Sequence, residues 1–255
     1  MGEATENFLL WTVIVGVAFA KEHFTMSTTL RPHVVAFDVI ETLFPLEPLR
    51  AKLEALGLPH QSLEVWFGSI LRDAFALTVT GKYVPFELLA TGSLQELLAE
   101  TGRATTGDDI KSVLSIMPEL PSHPDVREAF ETLREAGVRI IALSNGSKAQ
   151  TQKQLAHADL SDFVETVVST DDVQLFKPHR SVYEHTIQIA GVDTSRVALV
   201  AAHGWDVHGA KCAGLTAGWV KRREKRFSKA FEHPDAGGES LPEVVRALLS
   251  LPQEG

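Results

Sequence analysis

Four groups of polar residues each follow a short apolar run in this chain, and together they could support catalysis. The groups are Asp38 with Thr42, then Ser144-Asn145-Gly146-Ser147, then Lys177, and then Trp205 with Asp206. A carboxylate can attack an electrophilic carbon or take a proton from water, and a nearby ammonium group keeps it ionised. Each group alone is weak evidence, because Asp, Ser and Asn are also common in turns and at helix starts. All four in this order favour one catalytic site.

The apolar runs before these residues are predicted to be buried parallel strands. Strands are predicted at His33–Phe37, Val138–Leu143, Phe163–Val168, Val197–Ala201 and Thr216–Val220, with helices between the later ones. This alternation predicts an α/β fold, a Rossmann-like parallel sheet with helices on both faces. Ligands of such sheets bind beyond the carboxyl ends of the strands, which is where the polar groups lie.

A block of helices separates the first strand from the second. Helical spacing of apolar residues is found at Leu46–Leu56, Leu63–Phe75, Leu94–Leu98 and Ile110–Met117, and prolines end the block near residue 124. Because one strand precedes the block and the others follow it, we predict an insertion. The chain is therefore divided into an α/β core of residues 28–45 and 125–255 and an inserted helical cap domain of residues 46–124.

The first residues differ from the rest of the chain. Phe8–Ala20 is apolar apart from Thr12, but its 13 residues are fewer than the ~20 of a membrane-spanning helix. No Lys or Arg precedes it, whereas a secretory signal begins with basic residues, although Ala18-Phe19-Ala20 resembles a cleavage site. Two alternatives remain, an export signal and a non-native leader of residues 1–27 ahead of a start at Met26, and we favour the second.

Composition limits the classes of partner. The chain of 255 residues has 33 acidic and 24 basic residues and a net charge of −9, which argues against binding to nucleic acid or anionic membranes. The basic segment Lys221–Arg226 is therefore predicted to be a solvated loop. A single cysteine, Cys212, excludes a disulfide framework and cysteine-cluster metal sites and favours the cytoplasm, and we predict that it fills a small space in the core.

Four motifs resemble those of the haloacid dehalogenase superfamily. They are VVAFDVIETLF at Val34–Phe44, IALSNGS at Ile141–Ser147, FKPHRSVY at Phe176–Tyr183 and HGWDVHGAKCAG at His203–Gly214. The resemblance extends from Val34 to about Val220, with the helical insertion in the place of the family's cap domain. The second, third and fourth motifs are most similar to those of type II (S)-2-haloacid dehalogenases.

The resemblance implies a two-step hydrolysis. Asp38 would be the nucleophile that attacks the halogen-bearing carbon and forms an ester, and Lys177 would keep it ionised. Asp206 would orient or deprotonate the water that hydrolyses the ester. Thr42, Ser144 and Asn145 would hold carboxylate oxygens, and the residues expected to contact substrate are Ile40, Phe67, Tyr183, His203 and Trp205. The substrate would be a small 2-haloacid, and the protein partner considered is a second copy of the chain in a homodimer.

Departures from the family motifs bear on the reaction. The superfamily's phosphatases carry a second Asp two residues after the nucleophile, where this chain has Ile40; a leaving halide needs no proton, so this position favours dehalogenation. Neither a metal nor another cofactor is expected, because Asp206 has no acidic neighbour for a hard cation. The dehalogenases carry Gly where Glu41 stands, Arg where Phe67 stands, and Asn where His203 stands. The alternatives are a phosphatase or other hydrolase of relaxed specificity and a non-catalytic binding protein.

Overall fold

A computed structural model describes residues 29–102 and 106–253, so the predicted leader lies outside the described residues. The described part contains a six-stranded parallel sheet. Its strands are β1 (Val34–Asp38), β2 (Arg139–Ser144), β3 (Thr166–Ser169), β4 (Val197–Ala201), β5 (Thr216–Val220) and β6 (Ala236–Gly238). The spatial order is β3-β2-β1-β4-β5-β6. The predicted α/β fold is confirmed.

The strand order reverses at β1. The chain leaves β1 for β2 and β3 on one side and returns to β4 and β5 on the other, so a crevice opens beyond the carboxyl end of β1. Every residue of β1 and β4 is buried, because helices cover both faces of the sheet and leave room only for small or branched apolar side chains. The sheet therefore gives the end of β1 a rigid support.

Helices fill the connections between the strands. In chain order they are α1 (Pro48–Ala55), α2 (Ser62–Val79), α3 (Phe86–Ala99), α4 (Gly107–Leu114), α5 (Val126–Glu135), α6 (Lys148–His157), α7 (Arg180–Ala190), α8 (Gly204–Cys212) and α9 (Leu241–Leu249). The first five lie between β1 and β2. Helices α1–α4 fall within residues 46–124, which are called the insertion below, and their separation as a cap domain stays a prediction. Among the described residues, no helix is long and apolar enough to cross a membrane.

Helix α3 is much longer than the predicted segment Leu94–Leu98. Its buried residues include Phe86, Ala90, Leu94 and Leu98, which recur every four positions and form one apolar stripe. Thr91 and Gly92, which have low helix propensity, interrupt the sequence pattern, but packing against α2 overrides this preference. The Trp66 indole N–H donates a hydrogen bond of 2.9 Å to the Ala90 carbonyl and ties the two helices together.

The insertion also contacts the core directly. Tyr83 lies just after α2, and its hydroxyl donates a hydrogen bond to the Asp171 carboxylate. The Tyr83 ring packs on the Phe176 ring, with 4.8 Å between the ring centroids. The backbone N–H of Phe176 donates to the Thr78 hydroxyl at 3.0 Å. These contacts fix the far end of α2 over the edge of the sheet where the polar residues converge.

Two of the predictions about surface and core are wrong. Cys212 is exposed, because it lies on the outer face of α8 rather than toward the sheet. The segment Lys221–Arg226 is a loop, as predicted, but it is not simply solvated. Arg222 is mostly buried and forms an ion pair with Asp125 at 2.8 Å, and Arg223 forms one with Glu64 on α2.

Candidate active site

The site begins with the turn after β1. Asp38 is the last residue of β1 and is 5% exposed. The Thr42 hydroxyl donates a hydrogen bond of 2.6 Å to Oδ2 of Asp38 and accepts one of 2.8 Å from the backbone N–H of Ala202 after β4. Thr42 therefore joins the ends of two neighbouring strands and fixes the orientation of the Asp38 carboxylate.

The same turn explains an unusual position in the sequence. Glu41 has a φ of +67°, in the left-handed region that an L-residue enters at a cost of about 1–2 kcal/mol. A glycine at this position would have no such cost. Two hydrogen bonds hold Glu41 in place: its N–H donates to the Phe44 carbonyl at 2.8 Å, and its carboxylate accepts from the Leu46 N–H at 2.9 Å.

Lys177 connects the two carboxylates of the site. Its Nζ lies 2.8 Å from Oδ1 of Asp38 and 2.7 Å from Oδ2 of Asp206, and the Lys177 side chain is fully buried. The backbone N–H of Lys177 donates to the Asn145 side-chain carbonyl at 3.1 Å. Three strand ends thus contribute to one buried cluster of charges.

The two carboxylates have opposite pKa shifts. Burial alone would raise the pKa of Asp38, but the Lys177 ammonium group and the His203 ring outweigh it and hold that pKa well below its usual range. Burial raises the pKa of Asp206 and prevails over its contact with Lys177, with the Asp38 carboxylate adding to the increase. Asp38 is therefore the carboxylate kept in its ionised, nucleophilic form.

Asp206 is enclosed by hydrogen bonds. The Tyr183 hydroxyl donates to its Oδ1 at 2.6 Å while Lys177 occupies Oδ2, and Asp206 is completely buried. Tyr183 is also completely buried and supports Asp206 through this hydrogen bond; the substrate contact predicted for it stays a prediction. A Cβ atom on Gly209 would lie 2.5 Å from the Tyr183 hydroxyl, which gives a physical reason for glycine at this position of the fourth motif.

Ser144 and Asn145 shape the loop after β2. The Ser144 hydroxyl accepts a hydrogen bond of 2.9 Å from the Gly146 N–H, and the Asn145 side chain accepts from the Lys177 backbone. Both residues are buried. Their hydrogen bonds support the position of Lys177; the contact with carboxylate oxygens that the resemblance implied stays a prediction.

An aromatic group borders Asp38 on its other side. His203 precedes α8, and its Nδ1 lies 3.4 Å from Oδ2 of Asp38, within ion-pair distance but without an aligned hydrogen bond to any described residue. The His203 ring stacks on the Trp205 ring, with 5.3 Å between the ring centroids. The ring centroid of Phe67 on α2 lies 5.7 Å from that of His203. Burial lowers the pKa of His203, but the Asp38 carboxylate more than offsets this, so the pKa of His203 lies above its usual value.

An apolar cavity lies between the insertion and the core, next to this aromatic group, and encloses about 430 Å³ including its open side. Its lining includes Ile40, Trp66, Phe67, Ile70 and Met117. Of the described residues that line it, Glu87 alone carries a charge. Asp38, Lys177 and Asp206 are not among its lining residues, but two lining residues link it to them: Ile40 is two residues from Asp38, and the Phe67 ring is next to His203. The predicted residues Ile40, Phe67, His203 and Trp205 are therefore brought together.

The side chains of the site do not form a binding site for a divalent cation. Within residues 29–102 and 106–253, no group of three or more His, Cys, Asp or Glu side chains is arranged to hold a metal ion. The carboxylates of Asp38 and Asp206 face each other, but the Lys177 ammonium group lies between them. A hard cation prefers a cage of several oxygens, and this donor set does not fit one.

Comparisons with known proteins agree with this geometry. Residues 32–214 match the family of haloacid dehalogenase-like hydrolases. An (S)-2-haloacid dehalogenase of Pseudomonas sp. (strain YL) is 26% identical over 214 residues, which cover 83% of this chain and 92% of the relative. Haloacetate dehalogenase H-2 of Moraxella sp. (strain B) is 26% identical over 206 residues, 79% of this chain and 91% of the relative.

A solved structure has the same fold. The L-2-haloacid dehalogenase from Xanthobacter autotrophicus with chloropropionic acid covalently bound superposes with a TM-score of 0.80 at 23% identity. The superposition covers 86% of this chain and 99% of that protein. The helical insertion and the sheet thus occur together in a protein of known structure.

Proposed function

Because this chain belongs to the haloacid dehalogenase-like hydrolases, we propose that it hydrolyses the carbon–halogen bond of small 2-haloacids to give 2-hydroxyacids. One observation carries the proposal. The Asp38 carboxylate is held ionised by Lys177 at 2.8 Å beside an apolar cavity, and position 40 provides isoleucine rather than a proton donor. This arrangement suits displacement of a leaving group that departs as a stable anion.

The first step is a nucleophilic substitution by Asp38. One carboxylate oxygen forms a bond to the carbon that carries the halogen, while the carbon–halogen bond breaks and the halide leaves with its electron pair. No proton is transferred, so Ile40 in place of an acid costs nothing. Thr42 and Lys177 hold the two carboxylate oxygens and pre-orient the nucleophile.

The second step is hydrolysis of the ester on Asp38, and here the geometry favours His203 as the base. Both oxygens of Asp206 are occupied, by Tyr183 and Lys177, and the side chain has no exposure to water. His203 has 14% of its side chain accessible to water, although the Nδ1 atom that faces Asp38 is buried, and this atom has no hydrogen-bond partner among the described residues. We therefore assign Asp206 to the support of Lys177 and His203 to activation of water, a change from the role that the resemblance implied.

Ester formation itself prepares His203 for this role. The pKa of His203 is raised by the negative charge of Asp38, and that charge disappears when Asp38 becomes an ester. The pKa of His203 then falls, the ring loses its proton to solvent, and the neutral imidazole can accept one from water. Water adds to the ester carbonyl while His203 takes one of its protons. The acyl–oxygen bond then breaks, the second proton of the added water passes to the leaving alkoxide oxygen to give the hydroxyacid, and Asp38 is restored as a carboxylate next to protonated His203.

The proposal is tested by measuring halide release from 2-chloropropionate and 2-bromopropionate beside phosphate release from p-nitrophenyl phosphate, with and without Mg²⁺. We expect halide release by the wild-type protein and none by Asp38→Asn, whose carboxamide is a poor nucleophile. Glu184→Gln, a change at an exposed site on α7, is the control for charge removal and should match wild type. Magnesium-dependent phosphate release without halide release would favour a phosphatase. Absence of both would favour the non-catalytic binding protein.

A further inference from the structure

A second groove adjoins the apolar cavity and opens to solvent. It lies between α3 and α4 of the insertion and the start of α6 of the core, and encloses about 1070 Å³ including its open side. Three residues, Glu87, Leu114 and Gln150, line both the groove and the apolar cavity. These three side chains form the boundary that the two spaces share, and we call them the neck.

The groove carries two free positive charges. Lys111 of α4 and Lys153 of α6 line it from opposite sides, both are exposed, and neither has an ion-pair partner among the described residues. Glu87 at the neck is the opposing charge, which leaves the lining at +1 while the whole chain is at −9. At long range the net charge of the chain repels an anion, whereas the two lysines of the groove attract one.

The deeper site lacks a comparable attraction. The positive charge of Lys177 is already shared by two carboxylates, the His203 ring lies next to the negative charge of Asp38, and the described lining of the apolar cavity includes no cation. An anionic substrate therefore needs a cation along its route to overcome the long-range repulsion of the chain. Lys111 and Lys153 meet this need, because they line the solvent-open groove that borders the apolar cavity.

Building on the proposed function, we propose that the groove is the entrance for the anionic substrate. Lys111 and Lys153 attract its carboxylate from solvent, and Glu87, Leu114 and Gln150 form the neck through which it passes to Asp38. The chemical class of ligand is a small monocarboxylate anion. The lysines act on association, so they affect kcat/KM and KM without taking part in either bond-breaking step.

The first test removes the two charges. In Lys111→Gln/Lys153→Gln, kcat/KM for 2-chloropropionate should fall about three- to tenfold at ~10 mM salt and return to the wild-type value at ~1 M salt, where the Debye length is near 3 Å. The kcat should be unchanged. The neutral 2-chloropropionamide should be turned over equally by both proteins, because it has no charge to attract. Lys52→Gln/Lys229→Gln changes the net charge equally at exposed sites outside the groove and is the matched control.

The second test narrows the neck. Gln150→Trp should lower kcat/KM for the charged and the neutral substrate alike, by tenfold or more, while Gln152→Trp on the exposed side of the same helix should not. Equal thermal unfolding of the two variants shows that α6 is intact. The entrance is disproved if the charge variants match their control, if their defect persists at high salt, or if Gln150→Trp has no effect. These outcomes require an active wild-type enzyme, so failure of the dehalogenase proposal is recognised separately, by absence of halide release from wild type.

Discussion

Asp38 and Asp206 have the same side chain and contact the same lysine, but they differ in their access to water and in the direction of their pKa shifts. Asp38 is beside a cavity and a partly exposed histidine, and its pKa is lowered. Asp206 is sealed by Tyr183 and Lys177, and burial raises its pKa. A carboxylate with both oxygens occupied and no access to water is a poor base, however favourable its position in a motif.

This difference leads to a prediction for the second step. His203→Asn should leave ester formation intact but slow hydrolysis by about 10²–10⁴-fold, the usual contribution of a general base, so the Asp38 ester accumulates. Intact-protein mass spectrometry after mixing with 2-bromopropionate should show the added acyl mass. Asp206→Asn should instead slow ester formation, because Lys177 loses a partner, and should show no adduct. An adduct in Asp206→Asn and none in His203→Asn would return the role of base to Asp206.

Lys177 gives a prediction about pH. The Lys177 ammonium group helps to lower the pKa of Asp38, whereas burial raises it. Lys177→Met removes the positive charge, so the pKa of Asp38 should rise by about 1–3 units. The nucleophile must be ionised, so the acid limb of the kcat/KM profile should move to higher pH by the same amount. Lys148→Met, which removes an exposed lysine paired with Asp172, is the control. An unmoved acid limb would show that Lys177 does not set the ionisation of the nucleophile.

At the scale of elements, the strands that carry the site were predictable from sequence and the contacts between distant elements were not. β4 and β5 have the predicted bounds, because continuous apolar runs mark buried strands. β3 begins three residues later than predicted, at Thr166, because Ser161–Phe163 forms a single turn of 3₁₀ helix with Phe163 packed on Phe130. Sequence spacing carries no information about such tertiary packing.

The loop after β5 also makes tertiary contacts that the sequence did not predict. Its basic residues suggested a solvated surface, yet Arg223 lies 3.7 Å from Glu41 of the catalytic turn and forms an ion pair with Glu64 of α2. Glu224 of the same loop accepts a hydrogen bond of 3.1 Å from the Gly204 N–H, next to His203. The loop thus joins the insertion to both sides of the site, a role that depends on partners about 160 residues away in the chain.

We therefore expect Arg223 to hold the insertion against the core. Arg223→Gln should raise KM for haloacids two- to fivefold, because α2 and Phe67 are less firmly positioned, and should lower unfolding stability by less than about 1 kcal/mol, since both partners are partly exposed. Limited proteolysis within the insertion should be faster. Arg226→Gln, an exposed neighbour in the loop, is the control. Wild-type KM and proteolysis rates in Arg223→Gln would show that the ion pair has no such role.

At the scale of the whole molecule, the four sequence motifs were sufficient to predict the fold and the charged cluster of Asp38, Lys177 and Asp206. They could not predict that Asp206 would be enclosed, because the hydroxyl that binds it belongs to Tyr183, which lies on another helix 23 residues away in the chain. The apolar cavity and the groove beyond it also depend on how the insertion packs on the core. A homodimer, a cytoplasmic location and the division into two domains stay predictions.

The same charge cluster yields a prediction about metal dependence. Asp38 and Asp206 would be the first oxygen ligands of a divalent cation, but the Lys177 ammonium group lies 2.8 Å and 2.7 Å from them and supplies the compensating charge. A cation would have to displace a buried lysine and would still find too few oxygen ligands. Halide release should therefore survive excess EDTA, and added Mg²⁺ should not increase it. Haloacid turnover that is lost with EDTA and restored by Mg²⁺ would contradict this account and would place a metal, rather than Lys177, beside the nucleophile.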